Sequence, residues 1–187
     1  MKSQIKKNLI IGAVFTSILG VLFHFAFEFL GENQMLAWLF PVNESTWEHL
    51  KLLFFPSLIW SVIGYFLIGK DLGDYIGASS LGMLYGMLSI VVLFYTYTGV
   101  LGYSINAINI IIFFIGVVLC YCSICKVLTR PKDRCHSSLE PEQDTVPGNW
   151  AGVLFFLIFF VLFLVFTYLP PKIGLFLDPA TGTYGLM

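Results

Sequence analysis

Five apolar runs, each close to the length that crosses a bilayer, constrain this chain more than any motif in it. A helix needs about 20 mostly apolar residues to span the hydrocarbon. The runs cover about 8–29, 46–68, 75–97, 104–125 and 151–169. Inside hydrocarbon every backbone N–H and C=O must be satisfied within its own segment, which favours helices for runs of this length. The sequence therefore predicts an all-α polytopic membrane protein with five transmembrane helices and a single integral membrane domain over 1–187. A composition of 58% hydrophobic and 11% charged residues agrees. A net charge of −1 gives no reason to expect nucleic acid as a partner, and leaves the lipid bilayer as the expected one.

The basic residues orient the spans. With the N-terminus inside, the cytoplasmic side holds Lys2, Lys6, Lys7, Lys70, Lys126, Arg130, Lys132 and Arg134, and the outer side only Lys51 and Lys172. This distribution follows the positive-inside rule and puts the C-terminal tail, 170–187, outside. The start MKSQIKKNLIIG resembles a signal peptide, but no small-x-small cleavage site follows, so it reads as a retained helix. Residues 127–149 are polar, hold Pro131, Pro141 and Pro147, and read as a flexible cytoplasmic loop. Met35, Leu36, Trp38, Leu39 and Phe40 suggest a short interfacial helix between the first two spans. Gly82 and Gly86 form a GxxxG pair suited to close helix packing, within the chain or in a homo-oligomer.

Ionisable residues concentrate at the outer side. His24 and Glu28 are four apart and share a helical face. The connection to the second span is short, so the first two spans run antiparallel. That brings His24 and Glu28 near the level of PVNESTWEHLK, with Asn43, Glu44, Ser45, Trp47, Glu48, His49 and Lys51. Part of this motif has a structural explanation. Ser45-Thr46-Trp47-Glu48 fits a capping box, in which Ser45 caps the helix and Glu48 bonds back to its N–H. Pro41 and Asn43 shape the turn, and Trp47 suits an interfacial anchor.

The cap does not account for two histidines and several carboxylates at one level. Those residue types supply the nitrogen and oxygen ligands of zinc or another divalent metal. His24, Glu28 and His49 are the candidate ligands, and Glu48 or Glu44 the candidate catalytic base acting on a bound water. This arrangement requires His24 to lie within about 10 Å of Glu48 or His49, since ligands sit near 2 Å from the ion. Asn106 and Asn109, near the outer start of the fourth span, suit interhelical hydrogen bonds. Asp178-Pro179-Ala180-Thr181 suits a type I turn, and a folded-back tail would bring Asp178 and Tyr184 over the cluster. No ionisable residue is apparent in the cytoplasmic half of any span, which favours a one-sided pocket over a conducting path. Cys122-x-x-Cys125 with Cys135-His136 can be drawn as a zinc site, but the first two sit at the end of an apolar helix and read as small buried helix residues.

PVNESTWEHLKLLFFP, preceded by HFAFEF and followed at the C-terminus by DPATGTYG, resembles an uncharacterised family of small bacterial multi-pass membrane proteins, a domain-of-unknown-function group. The PVNES-x-WEH core is the specific part. The resemblance implies a bacterial cytoplasmic membrane location and carries over no activity. The residues themselves support two readings. One is a metal-dependent membrane hydrolase acting on a lipid or lipid-linked substrate. The other is a small transporter or accessory subunit in which the polar cluster is a structural ion-pair network.

Overall fold

The computed structural model describes residues 1–130 and 148–186. Five α-helices carry the fold: α1 (Lys2–Phe29), α2 (Thr46–Leu67), α3 (Tyr75–Leu101), α4 (Asn106–Leu128) and α5 (Asn149–Tyr168). Each is long and apolar enough to cross a membrane. Single 3-10 turns at Gln34–Leu36, Gly69–Asp71 and Gly174–Phe176 punctuate the connections. The hydrophobic connection between α1 and α2 thus contains one 3-10 turn among its bends. Most of the 127–149 loop lies outside the described residues, as do Cys135, His136, Lys132 and Arg134.

α2 is the most enclosed helix and the axis of the bundle. Leu53, Phe54, Phe55 and Trp60 are among its buried side chains. α1 and α5 expose most of their surface, as expected of helices that face an apolar surrounding. α3 packs chiefly on α4, α1 on α2, and α5 on α3. Aromatic rings fill the α2–α5 side, where Phe54, Phe55 and Trp47 stack around Phe163 at centroid separations of 5.1, 5.7 and 4.8 Å. Trp47 is therefore a core residue, only 6% exposed, and not the interfacial anchor expected from sequence.

Close helix approaches are set by small residues. A Cβ on Gly82 would lie 2.7 Å from the Cys120 carbonyl oxygen, and one on Gly86 2.9 Å from that of Gly116. The GxxxG pair is thus taken up inside one chain, against α4. A contact between copies through Gly82 and Gly86 would have to displace that helix. On the other side, Pro56 lies within α2 and has no N–H to give to the carbonyl of Leu52. That carbonyl faces α1, where a Cβ on Gly20 would lie 2.7 Å from its oxygen.

α3 and α5 are joined at one end by an unusual cap. Asn149 Oδ1 accepts from the N–H groups of Ile76 and Gly77, at 3.1 and 3.3 Å, and its Nδ2 donates to the Gly73 carbonyl. The first turn of one helix is therefore capped by the first residue of another. At the far end, Gly102 adopts φ +80° and terminates α3 in the left-handed region that glycine tolerates.

Overpacking gives a direct test of the α3–α4 contact. Gly86→Ala should destabilise the detergent-solubilised protein by about 1–3 kcal/mol. Gly99→Ala, which meets nothing within 4 Å, should not lower the thermal unfolding midpoint.

Candidate metal centre

Three side chains from different elements converge at the end of the bundle opposite Lys2, Lys6 and Lys7. His24 comes from the last turns of α1, Glu44 from the turn before α2, and His49 from the first turn of α2. Their ligand-type atoms all lie within 4.8 Å of one another. His49 Nε2 is 3.4 Å from Glu44 Oε2, and His24 Nε2 is 4.0 Å from Glu44 Oε1. The two imidazole centroids are 5.3 Å apart, which meets the proximity that a shared metal requires.

The local fold fixes each contributor. Ser45 caps α2, its Oγ accepting from the Glu48 N–H at 3.3 Å. Asn43 Oδ1 accepts from the Ser45 N–H at 2.9 Å, and Asn43 Nδ2 donates to the Gly185 carbonyl at 3.0 Å. Glu44 is thus carried between two pinned residues while its own side chain stays about half exposed. His49 Nδ1 donates to the Ser45 carbonyl at 3.0 Å, since a carbonyl can only accept. This bond sets the tautomer and leaves a lone pair on Nε2, which faces the Glu44 carboxylate. Two electron-rich atoms at that separation need a cation between them, either a proton or a metal. A backbone-anchored Nδ1–H is also the usual support of a metal-binding imidazole.

A tetrahedral site with bonds near 2.1 Å has ligand separations of roughly 3.4 Å. The group is slightly wider than that, and the exposed Glu44 side chain has room to close it. Two histidines and one carboxylate also leave a fourth position open, which is the catalytic rather than the structural pattern. Glu44 and His49, with Thr46, form the polar rim of a pocket of about 440 Å³, a volume that includes solvent at its mouth. Leu52, Ile90, Ile112 and Phe113 supply apolar wall.

The remaining candidates are placed elsewhere or play other parts. Glu28 is exposed and outside the three-residue group, though it acts electrostatically on His24. Glu48 is only 2% exposed and is also outside the group. Its Oε2 accepts from Lys51 Nζ at 2.6 Å and from the Val42 N–H at 3.0 Å. The reciprocal half of the capping box is therefore missing, because Asn43 has taken the Ser45 N–H. A carboxylate so fully engaged is not free to act as a base at the histidines. Lys51 is completely buried, and its ammonium also reaches the Ala37 and Phe40 carbonyls and Thr167 Oγ1, at 2.8, 3.4 and 2.7 Å.

Asn109 lines the pocket and accepts from the Tyr97 hydroxyl, whereas Asn106 is exposed at the start of α4. Asp178 spends its carboxylate inside its own turn, accepting from the Ala180 N–H and the Thr181 hydroxyl at 2.9 and 2.7 Å. Tyr184 pairs with Leu177 across that loop. Neither roofs the cluster by joining the three-residue group; the tail reaches this end of the molecule through Gly185 and Asn43. Thr167 has no counterpart among the residues singled out from sequence. Its signal was the single threonine, with no serine beside it, in a largely apolar helix.

The family comparison now has a structure to attach to. The model of a family of unknown function, DUF6512, matches residues 1–186. The chain belongs to the DUF6512 family. Neither a curated protein nor a solved structure matches it. In this DUF6512 chain the PVNES-x-WEH run therefore divides between two faces of α2. His49 turns toward α1 and Glu48 toward Lys51 and α5.

A double-mutant cycle separates those faces. Lys51→Met alone should cost about 3–5 kcal/mol, because it leaves the Glu48 carboxylate buried without its partner. Combined with Glu48→Leu, most of that loss should be recovered. Chemical unfolding in detergent would measure Lys51→Met, Glu48→Leu and the double variant, and a double-variant cost equal to the sum of the two single costs would show that the pair is not coupled.

Proposed function

We propose that this DUF6512 chain is an integral membrane protein of the bacterial cytoplasmic membrane, with its lysine-rich end inside and a divalent-metal site at its outer end. The observation that carries this reading is the convergence of His24, Glu44 and His49, of which Glu44 and His49 line an apolar pocket. The apolar wall beside a polar rim suits a lipid or lipid-linked substrate, and hydrolysis of an ester or phosphoester is the matching reaction. A divalent metal bound there would supply Lewis acidity to the substrate oxygen. His24, Glu44 and His49 would hold it. Leu52, Ile112 and Phe113 would hold the substrate's apolar portion and exclude water around it. The hydrophobic connection at 34–40 would lie in the membrane interface.

A second reading rests on the same distances. Separations of 3.4 and 4.0 Å are also those of ion pairs between protonated histidines and Glu44. The cluster is then a structural lock in a small transporter or accessory subunit.

Metal analysis of protein purified without chelator decides between them. The metal reading expects about one zinc or other transition ion per chain, lost in His24→Ala, His49→Ala and Glu44→Ala and retained in Glu28→Ala. Absence of metal from the wild type, even after zinc is added in slight excess, would reject it. The substrate assignment has its own test in a lipid-ester hydrolysis assay. Ile112→Trp, which fills the pocket, should lower turnover of a long-chain ester by at least about tenfold without loss of metal, on the scale of misplaced substrates.

A further inference from the structure

A second polar region lies inside the bundle, on the lysine-rich side and away from His24. On α1, Asn8, Gly12, Thr16 and Gly20 recur every four residues and share one buried face. On α2 they meet Ser57, Trp60 and Gly64, all buried. Thr16 Oγ1 pairs with the Tyr121 hydroxyl at 2.7 Å and with Ser57 Oγ at 3.5 Å. Those hydroxyls satisfy one another.

The two levels nearer the lysine-rich end are different. Asn8 Oδ1 and Trp60 Nε1 are buried and have no protein partner. The residues are only 7% and 8% exposed. Two glycines locate these atoms. A Cβ on Gly64 would meet the Tyr75 hydroxyl at 2.0 Å and Asn8 Oδ1 at 3.2 Å. Both oxygens therefore lie over Gly64, close together, without a direct hydrogen bond from the hydroxyl to Asn8 Oδ1. A Cβ on Gly12 would meet Trp60 Nε1 at 2.3 Å. That indole N–H sits about 6 Å, or one turn, further along both helices. The unpartnered groups thus lie in the α1–α2 seam, packed against the two glycines.

We propose that the α1–α2 seam is an internal water-binding site, with ordered water bridging Asn8 Oδ1, the Tyr75 hydroxyl and Trp60 Nε1. The chemistry of the lining selects a neutral ligand. Trp60 offers a hydrogen, Asn8 Oδ1 accepts one, and Tyr75 can do either. A cation would meet the indole N–H and an anion the amide oxygen, whereas water satisfies all three. A buried polar group without any partner keeps the full cost of its desolvation, which a bound water removes. The site is confined to one side of the bundle. Beyond Thr16, the next glycine of that face, Gly20, packs against the Leu52 carbonyl oxygen and the Phe113 ring in place of Tyr75 or Trp60.

The test is magnetisation transfer from water to indole N–H groups, in the full chain labelled with ¹⁵N-tryptophan and held in lipid nanodiscs. Four tryptophans give four signals, and Trp60 is assigned by its loss in Trp60→Phe. Trp150, 76% exposed, is the positive control. Trp60 is expected to show transfer despite its burial. The transfer should fall at least threefold in Asn8→Leu and in Tyr75→Phe, in samples that still unfold cooperatively. If Asn8→Leu does not fold, Tyr75→Phe decides alone. Absence of transfer to Trp60 in the wild type overturns the proposal, as does transfer left unchanged by the variants that fold.

Discussion

A lysine ammonium with no exposure to solvent can persist only where oxygen atoms surround it. Lys51 meets that condition with a carboxylate, a hydroxyl and two backbone carbonyls. Those groups come from α2, from the chain that leads out of α1, and from the last turns of α5. The charge therefore ties together three parts of the sequence that hydrophobic contact alone would leave free to slide. Much of the architecture at this end of the bundle depends on it. Glu48 is held by Lys51, Val42 is held by Glu48, and the turn that carries Glu44 begins beside Val42. The exposed cluster of histidines and carboxylate is thus built on a buried ion pair one residue away.

That arrangement lets one short motif serve two ends. Successive residues of a helix point about 100° apart, so the Glu48 and His49 side chains face different partners. The first faces a closed network in which every polar atom has a use. The second faces an open rim, where its Nε2 lies 3.4 Å from the Glu44 carboxylate. The contrast between full and partial satisfaction is the physical ground for assigning structure to one and chemistry to the other.

Hydrophobic run lengths made the five helices legible, because length and composition decide what can cross hydrocarbon. The meeting of His24 with His49 was legible too, from a short connection that forces two helices antiparallel. The third member was not. Glu28 looked the better candidate because it follows His24 by one turn, but that turn carries it toward the helix end and into solvent. Glu44 lies in a turn whose course depends on Asn43, Ser45 and a tail more than 100 positions away, with |i−j| = 142 for the Asn43–Gly185 bond. Such long-range closure leaves no local pattern. The polar seam did leave one. Asn8, Gly12, Thr16, Gly20 and His24 repeat at four-residue intervals, but attention to charged groups singled out only His24 and Glu28 one turn beyond it. Neutral hydroxyls and an amide made the lysine-rich half polar without a formal charge.

The way α5 is held has a consequence for biogenesis. Its first residue caps α3, and its end supplies Thr167 to Lys51 and the Tyr168 hydroxyl to the Gln34 carbonyl. All three partners are synthesised well before α5 leaves the ribosome. During that interval Lys51 lacks one of its oxygen partners, and the α3 amides lack their cap. Until α5 arrives, the earlier helices lack the α3 cap, the Thr167 hydroxyl at Lys51 and the Tyr168 hydroxyl at the Gln34 carbonyl. The turn at Glu44 is tied to α5 through Val42, Glu48 and Lys51, so the candidate metal site is complete only once nearly the whole sequence has been made.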